Sequence, residues 1–200
     1  MFVINLTDPT APTVLGELKI PGHSDYLHPY EENHLIGVGK ETAEAESEDF
    51  VVSRGQNLHL RRLEREEPTQ MSNATIGDRG TDSPVLGDHK AFLFDKERHL
   101  LVIPATVGKI DQSQYPHGGM PSWTYGTPIW QGAYVYNISL TDGLVLRGKI
   151  THGQDTGLPP YELYVSRALY MGDVLYTIWQ GKIKLNSLAD LAFLKEVSLD

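Results

Sequence analysis

The sequence predicts an all-β protein assembled from repeated four-stranded antiparallel units, and three observations support this. Short apolar or alternating runs bounded by Asp, Asn and Gly recur along its 200 residues, as expected for β-hairpins. The composition of 19 Gly, 10 Tyr and 3 Trp, with few long helix-forming stretches, also favours β structure. Two hairpin patterns alternate along the chain, and self-similarity over such distances indicates a repeat architecture.

The first hairpin pattern is an apolar run, a tight polar turn and a second apolar run. We name the two runs strands A and B. The turn is Glu31–His34 in the first copy and Met171–Asp173 in the third. The copies are predicted at residues 26–30 with 35–39, 90–94 with 100–103, and 167–170 with 174–178.

The second hairpin pattern supplies strands C and D, again joined by a polar turn. Two of these turns contain Asp8-Pro9 and Asp142-Gly143. Pro fixes φ, Gly tolerates positive φ and Asp bonds to its own backbone, so these residues favour turns. The copies are predicted at 2–6 with 13–20, 57–63 with 70–76, 133–139 with 144–150, and 182–188 with 191–199.

The chain therefore reads CD, ABCD, ABCD, ABCD, with a half-blade at 1–20 and blades at about 21–76, 77–150 and 151–200. Tandem four-stranded antiparallel units are the blades of a β-propeller, and a closed ring has about four to eight of them. The sequence thus predicts a partial β-propeller of about three and a half blades. Its uncovered sheet edges and apolar faces favour association. We expect missing N-terminal blades or a second copy of the chain to cover them, and favour the blades.

The longer connections run from D to A and from B to C. Alternate connections of an up-and-down sheet emerge at opposite ends, so these loops should share one face of the protein. Long loops in a compact domain are usually functional or disordered, and this face is the predicted binding face. Its loops are predicted at 40–56, 77–89, 105–132 and 151–165.

Composition excludes several classes of function. The net charge of −9 argues against unaided binding to nucleic acid or to an anionic membrane surface. There is no cysteine, which excludes disulfides, thiolate metal sites and cysteine nucleophiles. Residues 1–9 lack the basic and apolar regions of a signal peptide. No apolar run approaches the ~18 residues that span a bilayer.

Four segments carry a family resemblance: Ser24–Thr42, Ile76–Pro84, Asp88–Phe92 and Gly132–Ile138. They resemble the secreted β-propeller proteins of archaea and bacteria, a family distantly related to WD-repeat propellers, and the resemblance covers most of the chain. It implies an extracellular or cell-surface protein with an export signal and a larger propeller, of which this chain is the C-terminal part. No enzymatic activity defines that family, so the resemblance implies no catalytic residues.

The segment Gly77–Ser83 is a candidate calcium site. Asp78 and Asp82, with Asp88 farther along, offer the oxygen ligands that Ca²⁺ prefers, and Gly permits tight turns. The spacing is not that of a Ca²⁺-binding loop, and Arg79 would repel a cation. In the alternative, which we favour, Arg79 pairs with Asp82 and the aspartates cap backbone amides.

Asp88, His89 and Lys90 begin a predicted A strand, the innermost strand of a blade, and align with residues 23–25 and 164–167. Alternate side chains there are expected to face a central channel, where they could bind a ligand or an ion. In the alternative, which we favour, these residues line a solvated channel and hold the blades together through charge pairs.

The best candidate recognition element is a Gly/Pro-rich loop that is rich in aromatic residues. Exposed Trp and Tyr serve as binding hot spots and as sugar-stacking surfaces. The equally weighted alternative is that Trp123 and Trp130 pack down and hold the loop in place. The candidate residues of this loop are Tyr115, His117, Trp123, Tyr125 and Trp130.

The sequence has no nucleophile elbow, phosphate-binding loop or dinucleotide fingerprint. It therefore predicts a non-catalytic extracellular binding or scaffolding module for a protein or glycan. The alternative is a calcium-assisted hydrolase at the mouth of the channel, and Ca²⁺ is the one cofactor suggested. A third alternative is a truncated product without activity of its own. The candidate residues of the hydrolase are Asp25, Asp78, Asp82, Asp88 and His89.

Overall fold

A computed structural model describes residues 1–19, 22–44, 51–62, 68–116, 120–121, 123–153 and 164–199. Within these ranges the chain forms fourteen β-strands and three single-turn 3-10 helices, so the predicted all-β class is confirmed. The strands are β1 Phe2–Asn5, β2 Thr13–Glu17, β3 His23–Glu31, β4 His34–Glu44, β5 Val51–Arg62, β6 Thr69–Ile76, β7 Leu93–Asp95, β8 Leu100–Lys109, β9 Thr127–Ser139, β10 Gly143–Ile150, β11 Arg167–Met171, β12 Val174–Trp179, β13 Lys182–Ser187 and β14 Phe193–Ser198. The helices are Pro84–Leu86, His89–Ala91 and Gln112–Gln114.

The strands form one hairpin and three four-stranded sheets, in which each strand pairs antiparallel with the next along the chain. We call them the N-terminal hairpin (β1–β2), the first sheet (β3–β6), the second sheet (β7–β10) and the third sheet (β11–β14). Each lies within one of the four ranges predicted for the half-blade and the blades. This arrangement is a partial β-propeller, as the order CD, ABCD, ABCD, ABCD predicts.

The second sheet is buried on both faces because alternate side chains of a strand point to opposite sides. Leu101 and Ile103 of β8 join an apolar core shared with the first sheet. Leu100 and Val102, between and beside them, join a separate core shared with the third sheet. The near-continuous apolar run of β8 therefore reflects a strand with sheets on both sides.

A buried glutamine joins the second sheet to the third. Gln131 of β9 is 2% exposed; its Nε2 donates to the carbonyl of Val165 at 3.0 Å, and its Oε1 accepts from the Val165 amide at 2.9 Å. The sequence Trp-Gln-Gly around it recurs at Trp179–Gly181. In both copies the Trp ring lies over the Gly, where an added Cβ would approach it within 2.9 Å. A side chain at Gly132 or Gly181 would therefore displace the indole.

Strands extend into two predicted loops from both ends, and the predictions at 40–56 and 105–132 are corrected accordingly. β4 and β5 stay paired as far as Glu44 and Val51, and β8 and β9 as far as Lys109 and Thr127. Continued pairing satisfies main-chain N–H and C=O groups that a loop would leave to water.

The predicted A strand beginning at Asp88 is also corrected. The Asp88 side chain accepts from the Lys90 amide at 3.0 Å and caps the helix His89–Ala91, so β7 begins only at Leu93. Asp at this position favours a helical turn over an extended strand. His89 and Lys90 therefore lie on a capped turn outside the sheet.

Within the described part of the chain, no helix has the length and apolar character that crossing a membrane requires.

We predict that Gln131→Leu lowers the free energy of unfolding by about 2–4 kcal/mol, because it leaves the buried amide and carbonyl of Val165 without hydrogen-bond partners. Gln180→Leu is the matched control, since Gln180 lies in the same Trp-Gln-Gly sequence but is exposed, and it should change the value by less than about 0.5 kcal/mol. Urea unfolding measures both. Equal effects of the two substitutions would show that the Gln131 bridge contributes nothing specific.

Candidate functional site

The segment between the first and second sheets is tied to the main chain of β8. The Asp78 amide donates to the carbonyl of Gly108 at 2.9 Å, and the Asp78 Oδ2 accepts from the amide of Ile110 at 2.8 Å. Thr81 Oγ1 accepts from the Gly108 amide at 3.0 Å, and Ser83 Oγ donates to the carbonyl of Pro104 at 2.6 Å. The Asp78 carboxylate thus caps a backbone amide, as one of the two alternatives from the sequence expects.

Asp82 has a partner that the sequence analysis did not consider. Lys40 Nζ lies 2.9 Å from its Oδ1 and donates to the carbonyl of Thr81 at 2.5 Å. The Asp82 side chain is nevertheless 71% exposed. Lys40 lies in β4 of the first sheet, so this ion pair joins that sheet to the segment that follows it, a relation that sequence spacing does not reveal.

The third predicted metal ligand, Asp88, pairs with Arg167 Nη2 of the third sheet at 2.8 Å. The three aspartates therefore contact three different protein donors. Within the described ranges no group of three or more His, Asp or Glu side chains is placed to hold a metal ion. Calcium binding by Asp78, Asp82 and Asp88 stays a prediction.

In the innermost strand β3, the side chains of Tyr26 and His28 point to the second sheet; a central channel lined by polar side chains of the innermost strands stays a prediction. The ring of His28 in β3 lies 4.9 Å from that of Phe92, and the Tyr26 hydroxyl lies 2.9 Å from His28 Nδ1. Burial lowers the pKa of His28. His23 and Asp25 lie at a bulge before Tyr26 and are exposed, and His23 Nε2 lies 3.6 Å from Asp25 Oδ2. Because the sheets pack face to face, the faces of an innermost strand are directed at the neighbouring sheets, and only one edge of the strand is unpaired.

The aromatic loop divides into exposed and packed residues. The side chains of Trp123 and Tyr125 are 73% and 67% exposed. The Arg79 guanidinium lies 4.5 Å from the centre of the Tyr125 ring, and the Arg79 carbonyl accepts from the amide of Gly126 at 2.6 Å. We call Trp123 and Tyr125 the aromatic pair. Its loop is therefore fixed to the segment between the first and second sheets, next to β8.

Trp130 lies in β9 and is half-buried, so for this residue the packed alternative is correct. Its ring meets that of Tyr134 edge-on at 5.2 Å, with Lys149 Nζ 5.4 Å from its centre. Tyr115 is half-buried. His117 lies outside the described residues. Neither alternative from the sequence holds for the whole loop, because one Trp is exposed and the other packs.

A half-buried histidine between the second and third sheets was not singled out by the sequence analysis. His152 Nε2 lies 2.8 Å from Thr177 Oγ1, and Lys184 Nζ donates to the carbonyl of Thr151 at 2.8 Å. Burial, and after it the positive charge of Lys184, lowers the pKa of His152 to about 4. A single His gives no periodic signal that sequence reasoning could have used.

Consecutive four-stranded antiparallel sheets that pack face to face define this chain as part of a β-propeller. Residues 1–191 match the Beta propeller domain family, and the chain belongs to that family.

Two relatives are described only as uncharacterized proteins. One, from Archaeoglobus fulgidus, is 33% identical over 104 residues. The other, from Methanocaldococcus jannaschii, is 35% identical over 106 residues. Each match covers 52% of this chain and 15% of the relative, so the chain corresponds to a small part of these longer proteins. No solved structure matches the chain.

We predict that His152 makes the protein lose stability as the pH falls from about 6.5 to about 4. In this range the unfolded chain protonates His152 while the folded protein keeps it neutral, so the unfolded state binds more protons and folding weakens. His152→Gln should reduce the loss between about pH 7 and about pH 5. Urea unfolding at both pH values measures it, and parallel losses in wild type and variant would contradict the assignment.

Proposed function

We propose that the protein is a non-catalytic extracellular binding module that presents the aromatic pair to a protein or glycan. The observation that carries this proposal is the exposure of Trp123 and Tyr125 on a loop that is fixed at Gly126 by a hydrogen bond to the Arg79 carbonyl. Large aromatic side chains gain the most from leaving water, and they dominate the binding energy of interfaces.

The anchoring of the loop supports the same proposal. The Gly126 amide bonds to the Arg79 carbonyl, and Asp78 in turn holds β8 through the amide of Ile110. A loop held in this way loses less conformational entropy when a partner binds. Arg79 stacks on one face of Tyr125 and orients the ring without covering the residue, which stays 67% exposed.

The extracellular setting and the partners are part of this proposal. The setting is supported by the resemblance to secreted β-propeller proteins. Partners at the two ends of the sheet stack, whether further blades or a second copy, are supported by exposed apolar side chains there. Phe2 and Ile4 of the N-terminal hairpin are 61% and 52% exposed, and Met171 of the third sheet is 59% exposed.

A calcium-assisted hydrolase is the second candidate, and the exposed carboxylate of Asp82 favours it. This side chain is 71% exposed and has Lys40 as an ion-pair partner that a cation could displace. Asp78 and Asp88 are engaged with Ile110 and Arg167, so a calcium ion would have to break these contacts as well.

We predict that the double variant Trp123→Ala, Tyr125→Ala loses binding by about 30-fold or more, because truncating a hot-spot aromatic costs about 2 kcal/mol or more. A glycan array tests the glycan arm, and a phage-displayed random peptide library tests the protein arm. Phe193→Ala is the control, since Phe193 is 58% exposed in β14 of the third sheet, away from the aromatic loop. The proposal fails if neither screen yields a ligand, or if every ligand binds the double variant as well as the wild type.

We predict that calorimetric titration with Ca²⁺ detects no micromolar site, because all three candidate aspartates already contact protein donors. Mg²⁺ serves as the control for weak charge effects. A micromolar Ca²⁺ site that Asp82→Ala abolishes would instead support the hydrolase.

A further inference from the structure

The N-terminal hairpin occupies the position of the outer two strands of a blade. The Met1 carbonyl accepts from the amide of Leu18 at 2.8 Å, just as the Gly181 carbonyl accepts from the amide of Leu199 at 2.9 Å. The next pairs are Phe2 with Glu17 in the hairpin and Lys182 with Ser198 in the third sheet. β1 therefore corresponds to β13, and Met1 lies where the two-residue turn Gln180-Gly181 ends.

In the part of the chain that the structure describes, the inner edge of β1 is unpaired, whereas the equivalent edge of β13 pairs with β12. β13 pairs with β14 on one side and with β12 on the other, whereas β1 pairs only with β2 among the described strands. Met1 exchanges both of its main-chain hydrogen bonds with Leu18. Successive residues of an antiparallel strand direct these groups to opposite sides, so the N–H and C=O of Phe2 point to the open edge.

The neighbouring face of the first sheet is uncovered at the same place. Leu27 of β3 is 44% exposed, and Pro29 on the same face is exposed as well. On the other face of β3, Tyr30 is 6% exposed because the second sheet covers it. We call the space bounded by the β1 edge and this face of β3 the hairpin slot.

We propose that the hairpin slot binds a two-stranded antiparallel β-hairpin of the A–B type that this chain already contains three times. The second strand of the hairpin pairs with β1 and completes a fourth four-stranded sheet. Main-chain hydrogen bonds to an open edge supply the affinity in strand addition. The bound hairpin also covers Leu27, just as the second sheet covers Tyr30 on the other face of β3. The proposal is independent of the aromatic pair.

The charge of the occupant follows from the turns of the existing A–B hairpins. Consecutive turns are joined by ion pairs: Lys96 Nζ lies 2.5 Å from Glu31 Oε2, and Arg98 Nη1 lies 3.3 Å from Asp173 Oδ1. A hairpin in the slot would place its turn beside Glu31 and Glu32, and Glu32 is exposed. A lysine or arginine in that turn completes the series of interblade ion pairs.

The test is a graft of the chain's own hairpin. A second copy of residues 164–180, with Asp173→Lys in the inserted copy, is joined directly to Met1, because Met1 lies where Gly181 follows this hairpin in the third sheet. Hydrogen exchange should slow by about tenfold or more at the amides of residues 2–5. The thermal unfolding midpoint should rise by about 2 °C or more.

The matched control is the same graft with Tyr176→Pro in the inserted copy, since Pro removes a ladder hydrogen bond and disrupts the strand. Equal exchange at residues 2–5 in graft and control overturns the proposal. If the graft does not fold, the same segment is added as a free peptide to the unmodified chain. Protection of residues 2–5 then supports the proposal, and its absence at millimolar peptide overturns it.

Two further readouts separate this proposal from its alternatives. Dimerisation of the unmodified chain that protects residues 2–5 would overturn it in favour of a second copy as the occupant. The graft should give the same protection in the Trp123→Ala, Tyr125→Ala variant, because the slot and the aromatic pair share no residue. A failure of the slot therefore leaves the proposed binding function untouched, and the reverse also holds.

Discussion

The structure depends on the packing of the second sheet between two others. Because β8 buries Leu101 and Ile103 on one face and Leu100 and Val102 on the other, its position is fixed from both sides. Interiors of this kind are close-packed, and a change on one face is transmitted to the other. Strands at the ends of the stack lack this double constraint: every residue of β14 is exposed.

The geometry of the candidate site is set by the central strand β8. The segment around Asp78 bonds to the main chain of Gly108 in β8 and of Ile110 just after it, and the aromatic loop bonds to the same segment through Arg79. The exposed pair Trp123 and Tyr125 is therefore connected through main-chain hydrogen bonds to β8, a strand that is buried on both faces. The Asp78 carboxylate caps the amide of Ile110. A segment whose aspartates resemble those of an ion site can in this way anchor a loop.

Local signals predicted the strands well, and long-range pairing decided where prediction failed. The hairpins of β11–β12 and β9–β10 follow from alternation and from turns at Gly172 and Gly143, which both have positive φ. The extension of β8 and β9 to Lys109 and Thr127 was missed because a loop rich in Gly, Pro and aromatic residues hides the pairing partner. For the same reason the sequence could place the aromatic candidates in one loop but could not separate the packed Trp130 from the exposed Trp123. The ion pair of Lys40 with Asp82 joins the first sheet to the segment between the first and second sheets, and no spacing rule predicts it.

The sheets differ in how far the apolar residues of their two faces are covered. In the second sheet, apolar residues that point away from the first sheet are covered by the third; Val102 and Val135 are both fully buried. In the third sheet, the residues that point away from the second are also apolar, yet Leu169 and Met171 remain 39% and 59% exposed. A sequence that keeps apolar residues on both faces of a sheet describes a strand buried on both sides. The third sheet and the N-terminal hairpin therefore expose apolar residues of the kind that an interior blade buries. The loop of the aromatic pair, by contrast, joins strands of the second sheet, which is covered on both faces. The geometry of the pair therefore does not depend on whether the third sheet and the hairpin are covered.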